Sequence, residues 1–453
     1  MTGCRGSMTV GRRAPLALEG GGQDRLYLGR ITDRHHELNR ERRRRPGRTA
    51  PAARKECTMG SEMLSDTTKD FSLVLGGPLY QFLLRVGLVR PPLDRVASRI
   101  IIITLFAWLP LLLLTALGGR LTGGVKIPFL YDVEAHCRLL ISLPLLIGAE
   151  AIIHRRMRMM ILQFVERQII KPSTLPKFEV VIASALRLRN SPVIELGLLA
   201  LVFGAASFWL KGVLAVQSDT WYAAVTAGTK VLAPAGYWYE YVSLPIAQFI
   251  ALRWYFRLFI WSRLLWQVSR LDLQLVPSHP DSCCGLGFLG GNAFALGPFL
   301  MAHSVLLSGF MANRILYEGT RLPDYRIEIL AVALLLYLVA LGPICVFAPR
   351  LLRQRLHGLN TYGPLASEYV IGFEKKWMEG PRPKDEPLVG SGDIQSLADL
   401  SNSFAVVQNV RPFPFGREAI IAVAVFTVLP ILPLTLTMFS LQELVARLVH
   451  VVL

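Results

Sequence analysis

The sequence predicts an all-α fold, a polytopic membrane helix bundle of about seven proline-kinked transmembrane helices with a small helical cytoplasmic element. Three observations lead to this prediction. Of the 453 residues, 52% are hydrophobic and 18% are charged, and the mean hydropathy is +0.42, which is too apolar for an ordinary soluble protein. Apolar stretches of membrane-spanning length recur along the chain. Lysine and arginine are concentrated in alternate loops between these stretches.

Seven apolar stretches reach or approach the roughly 20 residues that a helix needs to cross the hydrocarbon core. They cover residues 99–117, 138–153, 193–211, 241–261, 288–312, 327–348 and 419–439. Six of the seven contain proline, which removes a backbone donor and kinks a helix. The tripeptide Ser-Leu-Pro occurs at both 142–144 and 243–245, which suggests an internal repeat without establishing one.

The distribution of positive charge predicts the orientation of the chain. Arginine and lysine are frequent before the first stretch and after the second, fourth and sixth, and they are scarcer in the intervening loops. Because cytoplasmic loops carry the excess of positive charge, we expect the N-terminus in the cytoplasm and the C-terminus outside.

The remaining segments divide the chain further. Residues 1–58 are basic and contain no apolar run, so we expect a disordered tail. The alternative is that the start codon has been assigned too far upstream and that these residues are not translated. Residues 59–98 include an apolar stretch, 71–89, that Gly76, Gly77 and Pro78 interrupt, and we expect it to be interfacial or re-entrant. Residues 99–348 are then a six-span bundle, 349–418 a cytoplasmic helical loop, and 419–453 the seventh span with a short outer tail.

The net charge of +17 would indicate nucleic acid in a soluble protein, but here the basic residues flank apolar segments. We therefore expect no nucleic-acid partner, and we expect the bilayer with its anionic headgroups to be the main partner. A second copy of the chain or a cytoplasmic protein is left open as a further partner. The six cysteines form no CxxC set, so we expect no cofactor and no metal.

Ionisable residues within or beside apolar spans are the usual indication of function in a membrane protein. The candidates for a ligand or ion path are Glu150, His154, Glu195, Arg253, Arg257 and His303. Glu150 and His154 are four residues apart and can pair on one helix face. Arg253 and Arg257 each need a carboxylate, a phosphate or an aromatic face, and an inner-leaflet lipid headgroup is the least demanding partner. For His303, a helix-packing hydrogen bond and a proton or ligand contact are both open.

Asp132, Glu134 and His136 alternate along the sequence on the outer side. In an extended loop they would share one face and could hold a cation, but in a helix they would diverge. One short cluster lacks the separated ligands that a metal site normally recruits, so we expect no metal here.

The stretch "SHPDSCCGLGFLGG" joins the fourth and fifth spans. His279, Pro280 and Asp281 also form the signature tripeptide of J-domain co-chaperones, but an adjoining membrane span is the wrong context for a J-domain. The prolines and glycines favour a turn in which Asp281 caps the segment that starts at Gly285. The alternative is a functional His279–Asp281 pair on the ligand path.

A second distinctive stretch, "GSGDIQSLADLSNSF", predicts a cytoplasmic helix opened by Asp393 and containing Asp399. We expect this helix to lie under the bundle and to contact the His279 turn. Together, "SHPDSCCGLGFLG" and "GSGDIQSLADLSNSF" resemble an uncharacterised family of bacterial polytopic inner-membrane proteins, over residues 71 to 453. The resemblance implies a bacterial inner membrane and implies nothing about a substrate.

Two classes of function follow from the sequence. The first is transport of a small solute or ion through the kinked bundle. The second is a membrane scaffold or sensor that recruits a cytoplasmic partner without turnover. An enzyme is less favoured, because no paired carboxylates and no zinc motif lie within a span.

Overall fold

The computed structural model describes residues 70–88, 95–215, 220–226, 229–379, 387 and 391–438. The predicted tail at 1–58 lies outside these residues, as do 59–69 of the next segment and 439–453 at the C-terminus. Within the described ranges the chain is mostly helical, as predicted. The sheet found there is one short antiparallel hairpin, Ala223–Thr226 with Thr229–Leu232, which the sequence did not predict.

Eleven principal helices follow one another along the described chain. They are α1 Pro78–Arg85, α2 Val96–Leu117, α3 Val133–Glu166, α4 Leu175–Arg189, α5 Pro192–Ala215, α6 Leu244–Ser269, α7 Gly297–Glu318, α8 Arg326–Cys345, α9 Ala348–Trp377, α10 Gly392–Gln408 and α11 Arg417–Val428. Short turns join them: 3-10 turns at Phe129–Tyr131, Pro172–Thr174, Gly287–Gly291, Leu322–Tyr325 and Leu432–Thr437, and α-helical turns at Pro234–Trp238 and Asn292–Ala295.

Four helical segments are long and apolar enough to span a membrane, which agrees with a membrane protein. They are Val96–Leu117, Val133–Glu166, Gly297–Glu318 and Leu322–Cys345. Helix α8 has an exposed apolar face, on which Leu330, Leu334 and Leu338 are 69%, 69% and 65% exposed. Such a face is unfavourable in water and suits the hydrocarbon core of a membrane. These four segments correspond to the first, second, fifth and sixth predicted spans.

The other three predicted spans are not among these four, for three different reasons. In α5, Pro192–Ala215, side chains are described only as far as Gly204, so the apolar segment Pro192–Gly204 covers part of the predicted span 193–211. Helix α6 is long enough but carries Arg253, Arg257 and Arg263. Helix α11 ends at Val428, ahead of Pro430 and Pro433, and continues as a 3-10 turn. The fifth span also begins later than predicted, at Gly297, after the glycine-rich turn.

The two Ser-Leu-Pro tripeptides occupy equivalent places in the fold. Each serine ends a π-helical turn, Cys137–Ser142 or Tyr239–Ser243, and each leucine begins the long straight part of a helix, Leu143–Glu166 or α6. A π turn adds one residue per turn, which relieves the clash that proline makes with the preceding carbonyl. Arg138 and Tyr239, at matching positions in the two turns, are hydrogen-bonded to each other. The suggestion of an internal repeat therefore gains support from local geometry.

The bundle is centred on aromatic residues of α3, α6 and α7. Phe164, Trp254, Trp261 and Phe299 are each at most 1% exposed within one continuous apolar core. The predicted cytoplasmic element is also helical and consists of the antiparallel helices α9 and α10. Gly358 of α9 lies against Val407 and Pro277, where an added Cβ would come within 2.8 Å of both side chains. The loop before His279 thus contacts α9 and the end of α10.

Candidate functional site

A buried carboxylate on α3 holds two guanidinium groups from other helices. Glu150 Oε2 lies 2.5 Å from Arg99 Nη2 of α2, and Glu150 Oε1 lies 2.7 Å from Arg257 Nη1 of α6. All three residues are buried. The ring of Trp254 also lies under Arg257, with its centroid 5.0 Å from the guanidinium carbon. One carboxylate therefore ties three helices together inside the bundle.

A second ion pair adjoins the first. Arg253 Nε lies 3.0 Å from Glu195 Oε1 at the start of α5, and both side chains are 11% exposed. The other oxygen of Glu195 accepts the backbone N–H of Leu79 at 3.0 Å. Glu195 thus fixes the beginning of α1 to the bundle beside Arg253.

The segment before α1 wraps around a fourth arginine. Arg189, the last residue of α4, donates to the carbonyl oxygen of Ser72. The Ser72 hydroxyl lies 2.8 Å from His154 Nδ1. Gly76 has φ of +148°, and a Cβ there would be 2.5 Å from Arg189 Cζ, so only glycine allows the chain to pass this closely. The predicted interfacial segment is therefore folded onto the charged site by its glycines.

We call this group the arginine cluster: Arg99, Arg189, Arg253 and Arg257 with Glu150 and Glu195. Its four guanidinium groups face two carboxylates, so two positive charges lack a carboxylate within the cluster. Arg99 is 2% exposed, and its buried Nε has no hydrogen-bond partner among the described residues. Taking charges out of water is expensive unless they are fully paired, so a surplus of positive charge in this place favours a bound anion.

A groove of about 430 Å³ opens from the cluster. Arg99, Glu150 and Arg253 lie at its charged end, and all of its other lining residues are apolar. The walls come from α1 and its continuation (Leu79, Phe82, Leu83, Val86, Leu88), from α2 (Ile102, Ile103, Phe106), from α3 (Ile147) and from α6 (Ile246, Phe249, Ile250). This volume is within the roughly 300–1,000 Å³ of small-molecule sites. We call this space the apolar groove.

The structure brings together four of the six ionisable residues predicted within or beside the spans, Glu150, Glu195, Arg253 and Arg257, and it places His154 next to them through Ser72. Glu150 does not pair with His154 as expected, because its carboxylate binds two guanidinium groups instead. Sequence reasoning missed Arg99 and Arg189. Arg99 carried a usable signal, since it is the one charged residue in α2.

His303 lies elsewhere in the bundle. Its Nδ1 is 2.9 Å from the carbonyl oxygen of Phe299, one turn earlier in α7. Its ring contacts the rings of Phe299 and Tyr255, with centroids 4.3 and 5.3 Å away. This is the geometry of a helix-packing contact, and its place on an ion path stays a prediction.

The outer residues Asp132, Glu134 and His136 diverge in the structure. Asp132 accepts hydrogen bonds from Trp221 Nε1 and Asn313 Nδ2, both at 2.7 Å, whereas Glu134 pairs with Arg138 at 2.5 Å. His136 Nδ1 instead accepts from the indole of Trp108. In the described ranges, no group of three His, Cys, Asp or Glu side chains is arranged to hold a metal. These residues connect α3, α7 and the hairpin region rather than converging on a cation.

The stretch around His279 is a tight turn organised by Asp281. The carboxylate of Asp281 accepts the backbone N–H groups of Cys283, Gly285 and Gly287 at 2.8, 3.1 and 2.9 Å. Burial alone would raise the pKa of Asp281, but these three donors and the nearby His279 bring the pKa below its usual value. His279 Nδ1 lies 2.9 Å from Asp281 Oδ1 at the surface of the turn.

The adjacent cysteines are structural in this geometry. Burial raises the pKa of Cys283 to about 11 and that of Cys284 to about 12, so both thiols are protonated at neutral pH. The turn is held to the segment after α10 by a hydrogen bond from Arg411 N to the carbonyl oxygen of Ser282, at 2.8 Å. The predicted contact between the turn and the cytoplasmic element thus occurs at the end of α10 and not at its beginning.

Asp393 and Asp399 belong to the helix pair α9 and α10, the predicted cytoplasmic element. The Asp393 carboxylate accepts from Lys376 Nζ at 2.7 Å and from Trp377 Nε1 at 2.9 Å, and these bonds lower its pKa. Asp399 accepts a local bond from Gln395, one turn earlier. Asp393 therefore fixes the start of α10 against the end of α9, some distance along the element from the His279 turn.

Compared with protein-family models, curated proteins and solved structures, the chain matches none of them. The resemblance based on the His279 and Asp393 stretches stays a prediction. What can be said about function rests on the geometry of the arginine cluster and the apolar groove.

Proposed function

We propose that the chain is a seven-span protein of the bacterial inner membrane that transports a small anionic solute bound at the arginine cluster. The observation that carries this proposal is the surplus of guanidinium groups: four arginines, of which Arg99 and Arg257 are buried, face two glutamates, and Arg99 Nε has no hydrogen-bond partner among the described residues. An anion with two or more acceptor oxygens would complete these hydrogen bonds and neutralise the surplus charge.

The proposed topology places the cluster in the cytoplasmic half of the membrane. The excess of lysine and arginine in alternate loops supports an N-terminus in the cytoplasm and a C-terminus in the periplasm. With that orientation α2 runs outward and α6 runs inward, and Arg99 near the start of α2 lies at the same end of the apolar groove as Arg253, the tenth residue of α6. The positive loop after α3 would then concentrate anions near the same surface.

The proposal is tested by binding of glycerol 3-phosphate to the purified protein in detergent, measured as a rise in melting temperature. A ligand that binds only the folded state stabilises it by about 2.7 kcal/mol at one hundred times its Kd. We expect stabilisation of the wild-type protein and its loss in Arg253→Gln. Arg263→Gln is the matched control, because Arg263 lies on the same helix and donates to Ser184 instead. Equal stabilisation of both variants would contradict an anion site at the cluster.

Transport itself is tested in the same way after reconstitution. Proteoliposomes containing the wild-type protein are expected to take up labelled glycerol 3-phosphate faster than those containing Arg253→Gln. Binding without uptake would support the anion site and contradict transport of glycerol 3-phosphate.

The alternative is a scaffold or sensor that recruits a cytoplasmic partner. The observation that favours it is a cavity of about 410 Å³ between α9 and α10, lined by Leu365, Tyr369, Phe373, Lys376 and Asp393. Under this alternative, Phe373→Asp removes proteins that cross-link to α9 in cells, whereas Arg253→Gln leaves them unchanged. An unchanged set of cross-linked proteins in Phe373→Asp would contradict this alternative.

A further inference from the structure

The apolar groove distinguishes between two kinds of anionic ligand. A water-soluble anion needs only the arginine cluster, yet the cluster is the end of a much larger space whose remaining lining is apolar. Filling such a space with water would leave the water without hydrogen-bond partners, since a bound water needs two to four polar neighbours. The groove therefore fits a ligand that has an apolar part attached to its anionic part.

The direction of the groove fits a lipid in the inner leaflet. On α2 the lining runs from Arg99 to Phe106, and on α6 it runs from Arg253 back to Ile246. Each of these segments rises by about 10 Å at 1.5 Å per residue. In the proposed orientation both extend from the cytoplasmic side toward the bilayer centre. An inner-leaflet lipid has the same order, with its charged group near the cytoplasm and its chains toward the centre.

The groove is also open toward the lipid phase. Phe82, Val86, Ile102 and Phe106 line it and are 59%, 54%, 48% and 53% exposed. In a membrane these faces meet acyl chains and not water. A lipid can therefore enter sideways between α1 and α2 without crossing an aqueous barrier.

The charged end has donors that suit a phosphate. Arg99 has an unpartnered Nε, and Arg253 gives only its Nε to Glu195 among the described residues, which leaves its terminal nitrogens for a ligand. Glu150 at the same end disfavours a second negative charge near its own oxygens, so the arginine side of the groove is the favourable position for the phosphate.

We infer that the apolar groove binds one acyl chain of an anionic phospholipid from the cytoplasmic leaflet, with the lipid phosphate against Arg99 and Arg253. This inference rests on the proposed anion site, at which the lipid phosphate takes the place of a small anionic solute. The segment that carries α1, which passes Arg189 at Gly76, forms one wall of the groove.

The test compares lipids and groove variants by native mass spectrometry of the purified, delipidated protein. Phosphatidylglycerol and phosphatidylcholine with identical chains are titrated, and the fraction of protein retaining one lipid gives an apparent affinity. We expect the wild-type protein to retain phosphatidylglycerol about tenfold more tightly than phosphatidylcholine, a difference of about 1.4 kcal/mol, because the choline cation of phosphatidylcholine is repelled by the arginine cluster.

Ile102→Trp fills the groove without touching the arginine cluster, and its expected effect is a loss of about tenfold or more in affinity for phosphatidylglycerol. Ile101→Trp is the matched control, because Ile101 is the preceding residue of α2, is 56% exposed, and does not line the groove. Neither substitution should change the stabilisation by glycerol 3-phosphate, which lacks an acyl chain.

The outcomes separate this inference from the proposed function. If Ile102→Trp binds phosphatidylglycerol as tightly as Ile101→Trp does, the groove does not hold an acyl chain, and the inference is wrong while the anion site stands. If phosphatidylcholine is retained as tightly as phosphatidylglycerol, the anionic selectivity is wrong. If Arg253→Gln keeps wild-type affinity for both glycerol 3-phosphate and phosphatidylglycerol, the proposed anion site is wrong, and this inference is wrong as well.

Discussion

Replacing Asp281 by Ala is expected to lower the free energy of unfolding by about 3 kcal/mol. The substitution removes the acceptor of three backbone N–H groups, and two of these, on Cys283 and Gly285, are buried. A buried donor left without a partner costs about 1–3 kcal/mol, so two such donors give the stated magnitude. The turn also holds Ser282 and Cys284 at positive φ, which costs further energy once the carboxylate is gone.

The assay is thermal unfolding of the purified protein in detergent. With an unfolding entropy of about 2 cal/mol/K per residue, a loss of 3 kcal/mol lowers the Tm by roughly 3 °C in a chain of this size. His279→Ala is the control, because it leaves the three backbone donors of the turn bonded to Asp281 and removes only the contacts of His279 Nδ1 with Asp281, at 3.3 Å to its backbone nitrogen and 2.9 Å to its carboxylate. We expect it to cost less than about 1 kcal/mol.

The pH dependence gives an independent check on the same carboxylate. The pKa of Asp281 is lower in the folded protein than in the unfolded chain, where it is about 3.9. Its stabilising contribution is therefore fully present above the unfolded pKa and is lost as the pH falls through the folded pKa. The difference in stability between the wild-type protein and Asp281→Asn should be constant from neutral pH to about 5 and shrink below about 4.

A Tm of Asp281→Ala within 1 °C of the wild-type value would refute this reasoning. A loss of transport in Asp281→Ala and His279→Ala without any change in Tm would instead show that the two residues form a functional pair.

Three further predictions concern the site and the topology. Glu150→Gln leaves two buried guanidinium groups without their countercharge, so we expect a loss of about 3–5 kcal/mol, seen as a low yield of monodisperse protein; a normal yield would contradict it. Gly76→Ala forces a Cβ to within 2.5 Å of Arg189 Cζ at positive φ and should lower the Tm, whereas Gly372→Ala, in open space, should not. Reporters fused after residues 388 and 453 should lie on opposite sides of the membrane, and the same side for both would exclude seven spans.

Hydropathy predicted those helices whose spans are apolar throughout. Helices α2 and α8 are examples, because each continues as a long uncharged apolar run after the charged residues near its start, and such a run has few alternatives to a membrane helix. Hydropathy did not predict where the helix of the last span ends, because a sequence window cannot show whether a proline kinks a helix or ends it. There Pro430 and Pro433 turn the chain from α11 into a 3-10 segment.

The residues of the arginine cluster were partly predictable, but their partners were not. A charged residue within an apolar span is easily recognised in the sequence, and Glu150, Arg253 and Arg257 were found in this way. The pairing requires knowing which helices are neighbours, and Arg257 lies 107 positions beyond Glu150. The local rule favoured His154, one turn from Glu150, but a permanent guanidinium stabilises a buried carboxylate better than a neutral imidazole does.

The two Ser-Leu-Pro tripeptides place α3 and α6 in a common register. Counting from them, Glu150 of α3 corresponds to Ala251 of α6, and Arg257 of α6 corresponds to Arg156 of α3. Because α6 has alanine where α3 has glutamate, Arg257 pairs across the bundle with Glu150 of α3, whereas Arg253 pairs with Glu195 of α5. The arginine cluster thus forms where α3 and α6 meet, and membrane proteins built from repeats bind their substrates at the corresponding place, between the repeats.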